Sequence, residues 1–119
     1  MTPARQTLNR AMTEAQLQDA VIALARARGW RVHHDRGDYR QTIQGDPGFP
    51  DLVLARAGLV IFAELKAQGQ SPSGAQQGWL RHLGWIGSPE NYRLLMSPPE
   101  YVAVVWRPSD WRTIEAVLA

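Results

Sequence analysis

The chain has 119 residues, of which 45% are hydrophobic, and carries a formal net charge of +2 with an isoelectric point near 9.5. This length predicts a single domain, and the apolar content excludes wholesale disorder. The absence of cysteine excludes disulfides and cysteine-based zinc sites. The N-terminus lacks the apolar segment of a signal peptide and no apolar run reaches membrane-spanning length, so we expect a soluble, cytoplasmic protein.

The basic residues are twelve arginines and a single lysine, Lys66. Arginine suits bidentate contact with phosphate, but a GC-rich genome is the simpler explanation of the bias. The mild positive charge alone therefore indicates nucleic-acid binding only weakly.

In the first third of the chain, an irregular N-terminal segment is expected to precede a helix. Residues 1–12 are expected to form a loose N-terminal arm, and 13–119 a single domain. Thr13 and Gln16 carry the capping-box pattern of a helix start. Apolar residues then recur at helical spacing, which predicts a helix over 14–28.

Strands and further helices follow in an order typical of an α/β domain. The predicted segments are, in chain order, a strand at 30–34, a polar loop at 35–50, strands at 51–55 and 59–66, a helix starting at 71–73, a segment without clear pattern at 88–99, a strand at 101–106 and a helix from 109 or 110 to about 118. Apolar residues on both faces of the two middle strands indicate central strands covered by helices on both sides. We therefore expect an α/β fold with a mixed central sheet flanked by helices.

The predicted pairing of the two middle strands indicates which charged side chains lie close together. A two-residue turn at 57–58 would place Asp51 directly opposite Glu64, with Cβ atoms roughly 5 Å apart. Side chains alternate along a strand, so Lys66 shares the face of Glu64. Opposed carboxylates in an apolar setting need a cation, and Mg²⁺ or Mn²⁺ suits oxygen ligands. A structural salt bridge between Lys66 and one acid is the competing explanation, and spacing alone does not decide between the two.

The segment Gly48-Phe49-Pro50-Asp51, followed by Glu64-Leu65-Lys66, resembles the signature of PD-(D/E)XK nucleases. More narrowly, the ordered set is similar to that of the VRR-NUC family, which adds a Ser-x-x-Gln helix start and a Trp-Leu pair. Those positions are here Ser73, Gln76, Trp79 and Leu80, and Glu14 matches the glutamate that opens the first helix of the family. The resemblance covers roughly residues 13–115.

This resemblance implies a PD-(D/E)XK, restriction-endonuclease-like core that hydrolyses phosphodiesters with Mg²⁺ or Mn²⁺. Asp51 and Glu64 would bind the metal, with the backbone carbonyl of Leu65 as a further ligand. Lys66 would orient the attacking water or offset charge in the transition state. The metal itself would polarise the phosphate and help to deprotonate the water.

Two further polar residues have competing explanations. The family pattern gives Glu14 a place in the metal shell, directly or through water, whereas an acid in a first helical turn also simply complements the helix dipole. Gln76 is either a catalytic residue or only the capping-box partner of Ser73.

DNA is the expected partner, in particular branched or Holliday-junction DNA, because small VRR-NUC proteins resemble junction resolvases. Such proteins are often viral, which implies a homodimer in the host cytoplasm. Arg36, Arg40 and Arg56 are candidates for contact with the phosphate backbone. Two alternatives stay open: a non-catalytic nucleic-acid-binding module on the same fold, and an ordinary α/β interaction domain whose acid–lysine cluster is a structural ion pair.

Overall fold

The computed structural model describes residues 2–34, 45–85 and 101–119. The described elements are the helices α1 (Pro3–Ala11), α2 (Glu14–Ala27), α3 (Gly74–His82) and α4 (Trp111–Leu118), and the strands β1 (Arg31–His34), β2 (Leu52–Arg56), β3 (Leu59–Leu65) and β4 (Tyr101–Trp106). A single 3₁₀ turn, Pro108–Asp110, joins β4 to α4. The expected α/β class, with a mixed sheet flanked by helices, is confirmed. The predicted segment 88–99 lies outside the described residues.

Helix α1 corrects the expectation of a loose arm over 1–12. Thr2 caps the helix, since its hydroxyl accepts a hydrogen bond from the amide of Arg5 at 3.2 Å, and proline occupies the first helical position. This helix is difficult to predict from the sequence because it has few apolar residues at helical spacing. Its Leu8 is 64% exposed. The helix instead contacts the 3₁₀ turn far along the chain, and Asn9 is buried.

Helix α2 begins where its capping box predicts. The amide of Gln16 donates to the Thr13 hydroxyl at 3.1 Å, and the amide of Thr13 donates to the Gln16 side chain at 2.9 Å. Leu17, Val21 and Ala25 form one fully buried stripe, as helical spacing requires. The stripe fixes which way the helix faces, and therefore where its first residues lie.

The four strands form one sheet in the order β1-β2-β3-β4. The first three are antiparallel neighbours, whereas β3 and β4 run parallel. One face of the sheet packs against α2 and α4 in a single core, contributed by Leu52, Leu54, Ile61, Ala63, Leu65, Val102, Val104 and Trp106. Because of these directions, the start of β2 and the ends of β3 and β4 lie together at one end of the sheet, which we call the β3 C-terminal end.

The β2–β3 connection is the two-residue turn that the sequence predicts. Ala57 and Gly58 have φ values of +50° and +82°, the pattern of a type I′ turn, whose twist matches a hairpin. Arg56 pairs with Leu59, and the register continues without a slip to Leu52 and Ala63. The next pair along this register is Asp51 and Glu64.

Among the described helices, none is long and apolar enough to cross a membrane.

Candidate metal centre

Asp51 is held at the β3 C-terminal end of the sheet by the backbone of the neighbouring strand. Its Oδ2 accepts a hydrogen bond of 2.9 Å from the amide of Leu65, just beyond the last β2–β3 pair. The predicted juxtaposition of Asp51 and Glu64 is confirmed, because the register that leads to it is unbroken. The carboxylate is thus fixed by a main-chain donor rather than left to rotate.

The loop before Asp51 is pressed against the start of α3 at Gly48. This glycine has a φ of +95°, and a Cβ atom there would lie 2.5 Å from the carbonyl carbon of Ala75 and 2.7 Å from the amide nitrogen of Gln76. Both the backbone angle and the contact therefore require glycine. The close approach sets the path of the chain into Asp51.

Aromatic side chains hold the same loop from its other side. The ring of Phe49 meets Phe62 of β3 and Trp79 of α3 edge-on, at centroid distances of 6.1 and 5.0 Å. The Trp79 indole also donates to the carbonyl of Asp46 at 3.0 Å. These contacts could not be predicted from local sequence patterns, because they join segments that are far apart in the chain.

Three carboxylates converge at this end of the sheet. Glu14, Asp51 and Glu64 each offer an oxygen, and these three oxygens all lie within 4.8 Å of one another. Glu14 reaches the cluster because it opens α2, whose buried stripe turns the first turn inward. Three oxygens at this spacing are close enough to bind one metal ion, so the predicted grouping of Glu14 with the two strand acids is confirmed.

Lys66 is the cation nearest to these acids in the described chain. Its Nζ lies 3.7 Å from Oε1 of Glu64, with 14% of the lysine side chain exposed. Among the described residues, one ammonium could balance only one of the three carboxylates if all of them were ionised. A structural ion pair therefore accounts for only part of the cluster.

Among the three acids, Glu64 has the environment least favourable to a charged carboxylate. Its side chain is fully buried, and within the described ranges no hydrogen-bond donor reaches either carboxylate oxygen. Burial, followed by the charge of Asp51, raises the pKa of Glu64 from 4.5 to about 8, while Lys66 partly opposes the rise. The charged form of Glu64 is therefore unfavourable in the folded protein unless a cation balances it.

Glu14 responds to the same surroundings. Burial raises its pKa above 4.5, with Lys66 lowering it and Asp51 adding a smaller upward contribution. A cation bound among these carboxylates would therefore favour their ionised forms. Hard divalent cations take carboxylate and carbonyl oxygens as ligands, so the residues present fit Mg²⁺ or Mn²⁺.

The backbone of Leu65 lies next to Asp51, whose carboxylate accepts its amide hydrogen. In an extended residue the N–H and C=O project toward the same neighbouring strand, and the Leu65 N–H faces Asp51. The next amide, that of Lys66, turns the other way and donates to the carbonyl of Trp106 at 3.0 Å. The role of the Leu65 carbonyl as a metal ligand stays a prediction.

Gln76 takes part in the capping box of α3. Its Oε1 accepts from the amide of Ser73 at 2.8 Å, and its own amide donates to the Ser73 hydroxyl at 3.2 Å. This is the structural alternative considered for Gln76, and it explains the residue without a catalytic role.

Arg56 is a correction to the expected DNA contacts. Its guanidinium lies 4.5 Å from the Trp30 ring and donates to the carbonyls of Arg28, Leu118 and Ala119 at 2.9, 3.3 and 2.8 Å. It sits at the turn of the hairpin, at the opposite end of β2 from Asp51. Its donors are engaged in tying the C-terminus to the sheet, so Arg56 is structural. Arg36 and Arg40 lie outside the described residues.

Comparison with known proteins returned no matching family model, no matching curated protein and no matching solved structure. What the centre does therefore follows from its own residues.

Proposed function

We propose that the chain is a divalent-metal-dependent endonuclease that hydrolyses DNA phosphodiesters, in the manner of the PD-(D/E)XK and VRR-NUC nucleases that its motifs resemble. The observation that carries the proposal is Glu64, a buried carboxylate that no donor of the described residues reaches and that lies close to Asp51 and Glu14. A protein without a use for a cation would gain stability by replacing such a residue, since opposed buried acids destabilise a sheet.

The proposed roles use the carboxylates that converge at the β3 C-terminal end. Asp51 and Glu64 would hold the metal, with Glu14 as a third acid directly or through water and the Leu65 carbonyl as a further ligand. A bound metal would supply a Lewis acid for the phosphate and a water of lowered pKa. Lys66 stands beside Glu64, where a compact ammonium can orient the attacking water and offset charge that develops on the phosphoryl oxygens.

A specific observation favours the structural ion pair as the competing account: Lys66 does lie within 4.0 Å of Glu64. The remaining two acids argue against it, because one ammonium neutralises one carboxylate. The non-catalytic binding module has no such observation in its favour. Metal-dependent cleavage separates all three.

The test uses fluorescent four-way-junction and linear duplex DNA, each with Mg²⁺, Mn²⁺ or a chelator. We expect wild type to cut only with metal and to prefer the junction, the substrate that the family resemblance implies. Asp51→Asn and Lys66→Met should each lower the cleavage rate by roughly 100-fold or more, the usual loss for one electrostatic group at a reaction centre.

Asp19→Asn is the matched control, since Asp19 is an exposed acid of α2 away from the cluster, and it should cut like wild type. Lys66→Met should bind metal at least as tightly as wild type, because a repelling cation is removed, although it cuts slowly. No cutting by wild type, or equal cutting by the variants, would overturn the nuclease assignment. Equal cutting of junction and duplex would overturn only the preference for branched DNA.

A further inference from the structure

A second feature lies beyond the C-terminal end of β4. A cavity of about 750 Å³ separates α1 from the segment that follows β4. Two arginines from different elements face it, Arg5 of α1 and Arg112 of α4, together with Trp111 and the backbone around Ser109. The sequence does not indicate that these two arginines line one cavity, because it is the packing of α1 that places Arg5 there.

The charge of the cavity is unbalanced. The one acid in its wall is Glu115, so two guanidiniums and one carboxylate leave a net charge of +1. In the described part of the chain, neither Arg5 nor Arg112 has a carboxylate within 4.0 Å, and neither guanidinium donates a hydrogen bond. This contrasts with Arg56 and Arg107, whose guanidiniums donate to backbone carbonyls.

The cavity is physically joined to the metal centre. Leu65 pairs with Trp106, and the chain that leaves β3 after Lys66 is bonded to the chain that leaves β4. The Arg107 guanidinium donates to the carbonyl of Gln70 at 3.0 Å, and the amide of Ser109 donates to the Gln68 side chain at 3.1 Å. The segments that follow β3 and β4 therefore connect the acid cluster to the wall of the cavity.

We propose that this cavity binds a backbone phosphate of the nucleic-acid strand that occupies the metal centre, with Arg5 and Arg112 as its two donors. Guanidinium groups match phosphate oxygens with paired hydrogen bonds, and two of them on separate elements enclose one phosphate from two sides. The proposal rests on the proposed nuclease function, since that function supplies the strand. It adds the position of a second contact, away from the scissile phosphate.

The experiment measures DNA binding in a chelator, so that neither metal nor cleavage contributes. The anisotropy of a labelled junction is followed between 50 and 200 mM salt for Arg5→Ala, Arg112→Ala and the double variant. Each single variant should bind about 5-fold to 10-fold more weakly, and the double variant should lower the slope of log K against log salt by about 0.9, the value for one phosphate.

Arg10→Ala and Arg26→Ala are the matched controls, because both arginines are exposed helix residues that do not line the cavity. They lose the same charge and should change affinity less than 2-fold. Arg5 and Arg112 are exposed as well, so thermal unfolding should match wild type and a weakened affinity will report the contact rather than the fold. As a second variant, Arg112→Glu should weaken binding more than Arg112→Ala.

The outcomes separate the two proposals. Wild-type affinity and salt slope in the Arg5 and Arg112 variants, or equal weakening by the controls, overturns the phosphate site. If that result accompanies metal-dependent cleavage by wild type, the nuclease assignment stands without the site. If wild type never cuts but the two variants bind weakly as expected, the phosphate site stands and the nuclease assignment fails.

Discussion

At the scale of single residues, Glu64 has an environment that a carboxylate tolerates poorly without a cation. It is fully buried, it faces Asp51 and Glu14, and the nearest positive charge is 3.7 Å away on Lys66. Its pKa is raised to about 8 by burial and by Asp51. Ionisation of Glu64 in the folded protein is therefore unfavourable unless a cation lies close to it.

This raised pKa predicts how stability depends on pH. An acid whose pKa is higher in the folded state destabilises the fold as pH rises from the unfolded value to the folded one. For Glu64 the loss begins near pH 4.5 and is complete near pH 8. Metal-free Glu64→Gln should therefore melt at a higher temperature than wild type at pH 9, and the gap should close at pH 4.

Thermal unfolding with and without Mg²⁺ checks this prediction. Saturating Mg²⁺ should stabilise wild type but not Glu64→Gln, since bound ligand adds stability only where a site exists. Asp19→Asn, an exposed acid, should show no pH-dependent gap. A Glu64→Gln protein less stable than wild type at pH 9 without metal would show that the carboxylate is satisfied in some other way.

At the scale of elements, the Gly48 loop and the β2–β3 hairpin together set the position of Asp51. Gly48→Ala should disturb this arrangement, because the new methyl would meet the α3 backbone at 2.5 Å and the residue has a positive φ. We expect a destabilisation of roughly 2–4 kcal/mol and weakened metal binding, as for other strained backbone positions.

Gly74→Ala is the control for that substitution, because Gly74 starts the same helix and has open space around its Cβ position. It should be neutral or stabilising by up to about 1 kcal/mol, the difference in helix propensity. Denaturant unfolding and calorimetric titration with Mn²⁺ measure both quantities. If Gly48→Ala binds Mn²⁺ like wild type, the loop does not position Asp51.

The hairpin turn offers a second element-scale prediction. Ala57 has a φ of +50°, which an alanine adopts at a cost and an asparagine adopts more readily. Ala57→Asn should therefore raise stability by about 0.5–1 kcal/mol and leave cleavage unchanged, since the register is already fixed. Ala57→Val should lower stability. A more stable Ala57→Val than Ala57→Asn in denaturant unfolding would contradict the turn geometry.

These elements also show what could be predicted from the sequence. The juxtaposition of Asp51 and Glu64 was predictable because a two-residue turn and strict alternation determine it locally. Helix α1 and the role of Arg56 were not, since the contacts that define them join residues far apart in the chain. The Leu65 carbonyl is expected as a ligand only because of the family resemblance, and it stays a prediction.

At the scale of the whole molecule, one end of the sheet collects the charged groups from separate elements. The start of α2, the start of β2 and the end of β3 supply the acids and Lys66, and the chain after β4 supplies the cavity wall. The other described elements stabilise the sheet: α2 and α4 cover one of its faces, and Arg56 binds the backbone of the last residues at the opposite end. The homodimer and the preference for branched DNA stay predictions.

The most direct test of the central claim is a crystal structure of the chain soaked in Mn²⁺, with anomalous scattering used to locate the ion. We predict a single strong peak between Asp51 and Glu64, in direct contact with one oxygen of each and with the Leu65 carbonyl beside it. A data set at saturating Mn²⁺ with no peak among these carboxylates would contradict the account.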